Sequence, residues 1–383
     1  MKETETKLYL TEPKPHWIRY LTNTAGELEQ ETKTRKSNLI EFFLTMTLIL
    51  VTLWLMAYPA VLLDIEWLNI LSIVILVLGA IILILIGPLV HKDEFKGWGL
   101  GNPLYLYRDI KDGRASKKIL LISLLSLLIG GLTIAFFIFW TEVSGFVGIN
   151  ESTALGIRDG VGGAAIVLGI GLVISFLFST LIIRYDNFLT ALHTSFKLII
   201  PLAILMVICA WVINGPEVFL LFNPIGFILN VFGYIFWGAI QQLLFSSYFG
   251  TRVRKGFAPA KDPEKIKQKR FWVAFLNGMF FGLLHIPSWY LLGVTWFLGI
   301  FLSYVFMEDK NRNLLALGVI HGVLGSMLGW LFSSGEVEGG LDINMSVGPW
   351  NVRNFDISIF IVVGVLVASF IIAMIYVYKK WEE

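Results

Sequence analysis

The chain contains 383 residues, of which 56% are hydrophobic and only 15% are charged. A soluble domain normally carries about a quarter charged residues, so this composition excludes an ordinary soluble protein and indicates a membrane domain. The formal net charge of +2 says little about partners, because in a membrane protein the distribution of charge matters more than its sum.

The N-terminal segment, residues 1–38, is polar and lacks the apolar core of a cleavable signal peptide. We expect this segment in the cytosol, followed by a first span that acts as an uncleaved anchor. The single cysteine, Cys209, excludes an intramolecular disulfide and a cysteine-based metal cluster. Its neighbours are all apolar, which favours a structural position inside a span over a nucleophilic one.

Runs of about twenty apolar residues predict an all-α, polytopic transmembrane helical bundle of about ten spans. The predicted spans are 39–63, 67–90, 118–141, 161–183, 195–213, 217–249, 270–286, 289–307, 313–333 and 355–378. The sixth run is too long for one straight span, and Pro224 within it predicts a break. We expect the helix proper from about 226 to 250.

The basic residues predict how these spans are oriented. If the N-terminus is cytosolic, every Lys and Arg except Arg158 and Arg353 falls on the cytosolic side. Cytosolic segments carry an excess of basic residues, so we expect both termini in the cytosol. Two cytosolic segments exceed simple connectors: 91–118, expected to be structured or interfacial, and 251–269, expected to contact anionic lipid.

These features divide the chain into four parts. They are a cytosolic N-terminal segment at 1–38, N-terminal transmembrane helices at 39–225 with a cytosolic loop at 91–118, a transmembrane core at 226–333, and an outer loop with the last transmembrane helix at 334–383.

A few polar residues interrupt the apolar spans of the core. They are the adjacent Gln241 and Gln242, His285 and His321. Strongly polar groups within a membrane are costly and therefore are candidates for a functional site. Each could instead form a hydrogen bond to a neighbouring helix, and taken singly none of them distinguishes the two interpretations.

Small residues accompany both histidines. Gly278 and Gly282 precede His285 at helical spacing, and a stripe of glycines at 318, 322, 325 and 329 passes beside His321. Such glycines allow helix backbones to approach closely. Packing alone explains the glycines, but it does not explain polar groups on three successive helical regions.

Three stretches in this part, IQQLLFSSYFGTRVRK, FFGLLHIP and LLALGVIHGVLGSMLG, resemble in order and context the motifs of the CPBP family. This family of intramembrane endopeptidases includes the CAAX prenyl proteases of the Rce type and the Abi proteins. The resemblance covers about residues 230–330. It implies a peptidase with a cytosol-facing cavity that cuts a peptide or lipidated protein near its membrane anchor.

The resemblance also assigns positions within the first two motifs. Gln241 stands at the position of the catalytic glutamate, Gln242 at that of the second glutamate, and Ser246 at that of an arginine. Phe281 and His285 match the second motif intact. The second glutamate and the arginine would form an ion pair at i and i+4; here both are replaced by neutral residues.

In the third motif His321 matches the family histidine, whereas Gly325 stands where an asparagine is expected. In the family a glutamate and a histidine are thought to activate water, and the other histidine and the asparagine would stabilise the oxyanion. A glutamine amide cannot accept a proton as a general base. Loss of one oxyanion donor costs about 3–4 kcal/mol in a comparable hydrolase, so the resemblance implies weakened or lost proteolysis.

Two histidines without a nearby carboxylate or thiolate are an incomplete set of metal ligands, so we expect neither a metal nor another cofactor. The expected partners are membrane lipids and a peptide or lipidated protein, not nucleic acid. The expected location is a prokaryotic plasma membrane, which the uncleaved anchor and the single cysteine suit.

Two other functions remain open from the sequence. One is a non-catalytic binding or regulatory membrane protein that captures a peptide or a lipidated tail, as a bacteriocin-immunity protein would. The other is a transporter, which should show buried charges or broken helices at corresponding positions of two repeated halves. No such halves are evident, so the transporter is the less favoured alternative.

Overall fold

The structure is a computed structural model. It describes residues 35–91, 93, 95–113, 118–146, 149–257, 263–286 and 288–332, together with residues 349, 364, 367, 368, 371 and 375. This part of the chain is helical and contains no β-strand, which confirms the predicted all-α class. Its main helices are α1 (Arg35–Leu62), α2 (Glu66–Ile86), α3 (Pro103–Lys111), α4 (Lys118–Ile138), α5 (Trp140–Phe146), α6 (Glu151–Asp159), α7 (Gly163–Ile182), α8 (Phe188–Asn214), α9 (Pro224–Phe257), α10 (Pro263–Leu283), α11 (Trp289–Phe306) and α12 (Leu314–Phe332).

Among the described residues, eight helices are long and apolar enough to cross a membrane, namely α1, α2, α4, α7, α8, α9, α11 and α12. An integral, polytopic membrane protein is therefore confirmed. Helix α10 contains the predicted span 270–286, but it begins in the charged sequence PEKIKQKR and is not among the eight. The predicted span 355–378 and the N-terminal segment 1–38 fall mostly outside the described residues, so the count of ten spans stays a prediction.

The break predicted at Pro224 is present. A 3₁₀ turn, Pro216–Leu221, precedes it, and α9 begins at Pro224 rather than at 226. Asn223 caps the new helix, because its Oδ1 accepts a hydrogen bond of 3.0 Å from the backbone N–H of Gly226. Proline suits the first turn, where its missing N–H would have had no helical partner.

The predicted loop 91–118 is structured. Trp98 is buried, and its indole Nε1 donates a hydrogen bond of 3.1 Å to the carboxylate of Asp93. The same buried carboxylate forms ion pairs with Arg252 and Lys255 at the end of α9. These two basic residues are buried within the protein, which differs from the lipid contact expected for the basic segment 251–269.

Helix α1 packs on the same end of α9 through polar contacts. Asn38 accepts a hydrogen bond of 2.8 Å from the Arg252 guanidinium. Glu41 accepts one of 2.5 Å from the Tyr248 hydroxyl and lies 2.7 Å from Nε2 of His91. Helix α1 and the segment that follows α2 are therefore fixed to α9 by a largely buried network of ionic and hydrogen-bonding groups.

The turn between α11 and α12 is fixed by a second polar cluster. Arg184 donates to the carbonyl of Arg312 at 2.9 Å, and Asn313 donates to the carbonyl of Arg184 at 2.7 Å. Burial alone would raise the pKa of Asp309, but the charges of Arg184, Arg312 and Lys96 hold that pKa below its ordinary value. The start of α12, which carries His321, is thereby anchored to the loop between α7 and α8.

Glycines permit the two closest helix pairs in the core. A Cβ on Gly318 would lie 2.7 Å from the carbonyl oxygen of Ile235, and a Cβ on Gly322 would lie 2.7 Å from the backbone nitrogen of Ile235. In the same way, a Cβ on Gly282 of α10 would lie 2.9 Å from the Cβ of Trp296 on α11. Real Cβ atoms do not approach this closely, so glycine is required for α9 to lie against α12 and α10 against α11.

Candidate functional site

The two glutamines lie where α9 changes its helical form. The α-helical part ends at Gln242, and a π-helical segment, Leu243–Phe249, follows. Such segments shift the backbone hydrogen-bond register and are frequent at functional sites. The polar pair that the sequence singles out therefore stands at the beginning of an irregular stretch of helix.

Asn277 of α10 stabilises this irregular stretch, and the sequence analysis did not identify it. It is buried, and its Nδ2 donates to the carbonyl of Phe245 at 3.0 Å and to Oγ of Ser303 at 2.7 Å. One side-chain amide thus links α9, α10 and α11. Its position inside the predicted span 270–286 could have identified Asn277 as a residue with a structural partner, because a polar residue within a span usually has one.

His321 lies against α9 one turn before the glutamines. A Cβ on Gly238 would be 2.7 Å from the Cβ of His321 and 2.8 Å from its Cγ. The His321 side chain therefore packs directly against the backbone of Gly238. Residues three and four apart are neighbours on a helix surface. Gln241 and Gln242 therefore lie on α9 one turn after its contact with His321.

Phe281 connects the three motifs. Its buried ring makes edge-to-face contacts with Phe245, His285 and His321, at centroid distances of 5.0, 5.1 and 5.9 Å. Phe245 is one turn after the glutamines on α9. The glutamines consequently occupy the stretch of α9 between a contact with His321 and a contact with Phe281, so the structure brings the three sequence motifs together.

The hydrogen bonding of His285 defines its tautomer. Its Nδ1 lies 2.8 Å from the carbonyl oxygen of Phe281. A carbonyl can only accept, so Nδ1 carries the proton and Nε2 of the neutral ring keeps its lone pair. The residue lies in the turn just after α10 ends at Leu283 and is 6% exposed. His285 is thus oriented so that Nε2 of its neutral form can act as a base.

Gln242 and Ser246 form a buried neutral pair. The Ser246 hydroxyl donates a hydrogen bond of 2.5 Å to Oε1 of Gln242, and both residues are almost completely buried. The structure therefore joins the two positions where the family resemblance implies an ion pair. Within the described part of the chain, Nε2 of Gln242, Oε1 of Gln241 and Nδ1 of His321 have no hydrogen-bond partner.

Gly325 faces α9 from α12, one turn after His321. A Cβ on Gly325 would make ordinary contact with Cδ1 of Tyr234 at 3.5 Å, so this position can accept a side chain. Tyr234 is one turn before Gly238 on α9. The predicted asparagine position thus belongs to the same α9–α12 interface as His321, and glycine supplies no side-chain donor there.

The acidic residues fixed to α9 are placed away from the glutamines. Glu41 contacts Tyr248, and Asp93 contacts Arg252 and Lys255, all of them beyond the start of the π-helical segment. No three His, Cys, Asp or Glu side chains of the described residues lie together as a metal-binding group. The arrangement offers amides and imidazoles for hydrogen bonding, and His285 for proton transfer.

The contact between positions 242 and 246 predicts a non-additive pair of substitutions. Ser246→Arg alone would bury a guanidinium beside a neutral amide, and Gln242→Glu alone would bury a carboxylate beside a hydroxyl. An uncompensated buried charge costs about 3–5 kcal/mol, so each single variant should unfold at a lower temperature. The double variant should recover part of the loss, because the two charges would meet.

The measurement is the unfolding temperature, in detergent, of the purified wild type, the two single variants and the double variant. Asn223→Asp is the matched control, because it also converts an amide of α9 into a carboxylate, at an exposed cap where aspartate is equally suitable. Strictly additive losses in the double variant would show that positions 242 and 246 are not in contact.

Comparison with known proteins supports the predicted resemblance. Residues 223–327 match the family model described as type II CAAX prenyl endopeptidase Rce1-like. The matched segment extends from the cap of α9 into α12 and contains all three motifs. Searches of curated proteins and of solved structures gave no match.

Proposed function

We propose that this membrane protein, whose residues 223–327 are homologous to the type II CAAX prenyl endopeptidases, keeps the position of the peptidase site but has weakened or lost proteolysis. The match supports a CAAX-protease-like membrane endopeptidase homologue. The weakened or lost activity of its site is the proposed part. In this proposal the chain is a pseudoenzyme, or nearly one, that still receives a peptide or a lipidated protein near the membrane surface.

One observation carries the proposal. Gln241 and Gln242 lie on the stretch of α9 between the contacts to His321 and Phe281, where the resemblance implies the glutamates. A carboxylate there could take a proton from water, whereas an amide cannot. The family's two histidine positions are therefore filled near this stretch of α9, without the group that would activate the attacking water.

The histidines do not replace that group. His285 keeps a lone pair on Nε2, but its other nitrogen is fixed by a backbone carbonyl rather than by a carboxylate that would stabilise the imidazolium. Gly325 provides no donor to the developing oxyanion. Proton transfer by His285 alone would leave both the charged base and the oxyanion without compensation in a buried site.

A second candidate is a binding or regulatory membrane protein that never cuts its partner. The neutral hydrogen bond between Gln242 and Ser246 favours it, because two neutral groups leave no buried charge where a glutamate or an arginine alone would be unpaired. The described helices give no observation that favours a transporter. For the location, we retain the prokaryotic plasma membrane as part of the proposal.

The first test is a cleavage assay. The purified protein in liposomes is mixed with prenylated and unmodified peptides, and products are identified by mass spectrometry. Because the site lacks a carboxylate base, the wild-type rate should lie close to the rate of a His285→Ala variant. Cleavage by the wild type over many turnovers that is abolished in His285→Ala would contradict the proposal.

A second experiment separates the two candidates by rebuilding the family site. The combined variant carries Gln241→Glu, Gln242→Glu, Ser246→Arg and Gly325→Asn. Positions 242 and 246 are in contact, so the new charges would face each other, and a Cβ at position 325 would make only ordinary contacts. If the site descends from a working peptidase, the rebuilt protein should cleave peptides at a measurable rate.

The same variant with His285→Ala is the control, since any new activity should require that histidine. A folded, rebuilt protein without activity would count against a peptidase arrangement and in favour of the binding protein. Thermal unfolding confirms beforehand that the rebuilt variant is folded.

A further inference from the structure

The glutamine pair presents both a hydrogen-bond donor and a hydrogen-bond acceptor that the described protein does not use. Nε2 of Gln242 and Oε1 of Gln241 are buried atoms without a partner. Gln242 is 1% exposed. A buried amide group without a partner costs about 1–3 kcal/mol, so a ligand group that pairs with these atoms would offset that cost.

Ser246 determines which end of the Gln242 amide is available. Its hydroxyl donates to Oε1 at 2.5 Å, which leaves the two N–H donors of Nε2 to point elsewhere. At the position where the family resemblance implies an acceptor carboxylate, this chain therefore presents a donor. The neighbouring Gln241 retains its acceptor oxygen.

The surroundings favour a neutral ligand. Along α9 the glutamines are flanked by Gly238, which contacts His321, and by Phe245, which contacts Phe281, whereas Glu41 and Asp93 contact α9 further along the helix. His321 and Phe281 are themselves buried, and bringing an ion into a buried environment costs several kcal/mol more than bringing in a neutral polar group. A ligand group that is neutral and carries both a carbonyl and an N–H is an amide.

We propose that Gln241 and Gln242 together bind the uncharged C-terminal carboxamide of a hydrophobic peptide. Gln242 Nε2 donates to the ligand carbonyl, and Gln241 Oε1 accepts from the ligand N–H. A carboxylate and an ester both lack that N–H and are bound less well. This inference rests on the proposed function, because it assumes a site that holds a peptide without cutting it.

The test compares three ligands that differ at one group. N-acetyl-leucyl-leucinamide, its methyl ester and its free acid are titrated into the full-length protein in lipid nanodiscs, and binding is measured by calorimetry. The amide should bind at least about tenfold more tightly than either the ester or the acid, since a site built to pair with an N–H rejects ligands without one.

Two variants assign the effect to the glutamines. Gln241→Leu removes the acceptor, so the amide should lose its advantage over the ester while ester binding stays unchanged. Gln242→Glu replaces the donor by an acceptor and should weaken all three ligands. Asn223→Asp, an exposed amide-to-acid change on the same helix, should leave all three affinities unchanged.

The outcomes separate this inference from the proposed function. Equal binding of the three ligands, no binding of any, or a preference for the amide that survives Gln241→Leu would each overturn amide recognition. Mass spectrometry of the recovered ligand tests the proposed loss of proteolysis. A ligand that shows the predicted preference but is recovered cut at its peptide bond supports amide recognition and contradicts the loss of proteolysis.

Discussion

The contact between His321 and Gly238 is the constraint on which the candidate site depends. Only a residue without a side chain at 238 lets the imidazole reach α9 one turn below the glutamines. Gly318 and Gly322 bring the two backbones together on either side of this point. In a lipid environment, where apolar burial does little to drive helices together, such close backbone packing decides which polar groups meet. The position of the site thus follows from the glycines as much as from the polar residues.

The helices before the segment that matches the family model make defined contacts with it. Asn38, Glu41 and Asp93 lie before residue 223, yet they bind the end of α9 through Arg252, Lys255 and Tyr248. Charges buried on one side are compensated by groups from the other, and an uncompensated buried charge costs about 3–5 kcal/mol. The N-terminal helices therefore hold the irregular part of α9 in place, which gives a physical role to spans that share only hydrophobicity with the family.

Local signals explain what the sequence predicts well. The break at Pro224 follows from one residue, the contact between Gln242 and Ser246 from their i, i+4 spacing, and the close helix pairs from spaced glycines. The π-helical segment, the bridging amide of Asn277 and the buried basic end of α9 were not predicted. Each depends on which helix lies opposite, and apolar periodicity alone does not specify that. The roles of Gln241, His285 and His321 also stay predictions, because proximity does not show activity.

The most direct test of the account is whether α12 meets α9 at Gly238. The chain has one cysteine, so a Cys209→Ala background allows a cysteine pair to be introduced by Gly238→Cys and His321→Cys and then oxidised. A Cβ on residue 238 would lie 2.7 Å from the Cβ of residue 321, so the two helices must separate by about 1 Å to reach disulfide geometry, and mass spectrometry should then find the linked peptide. The control pairs His321→Cys with Gly233→Cys, whose surroundings are open. Absence of the 238–321 link, or equal linkage in the control, would contradict the convergence on which the proposed function rests.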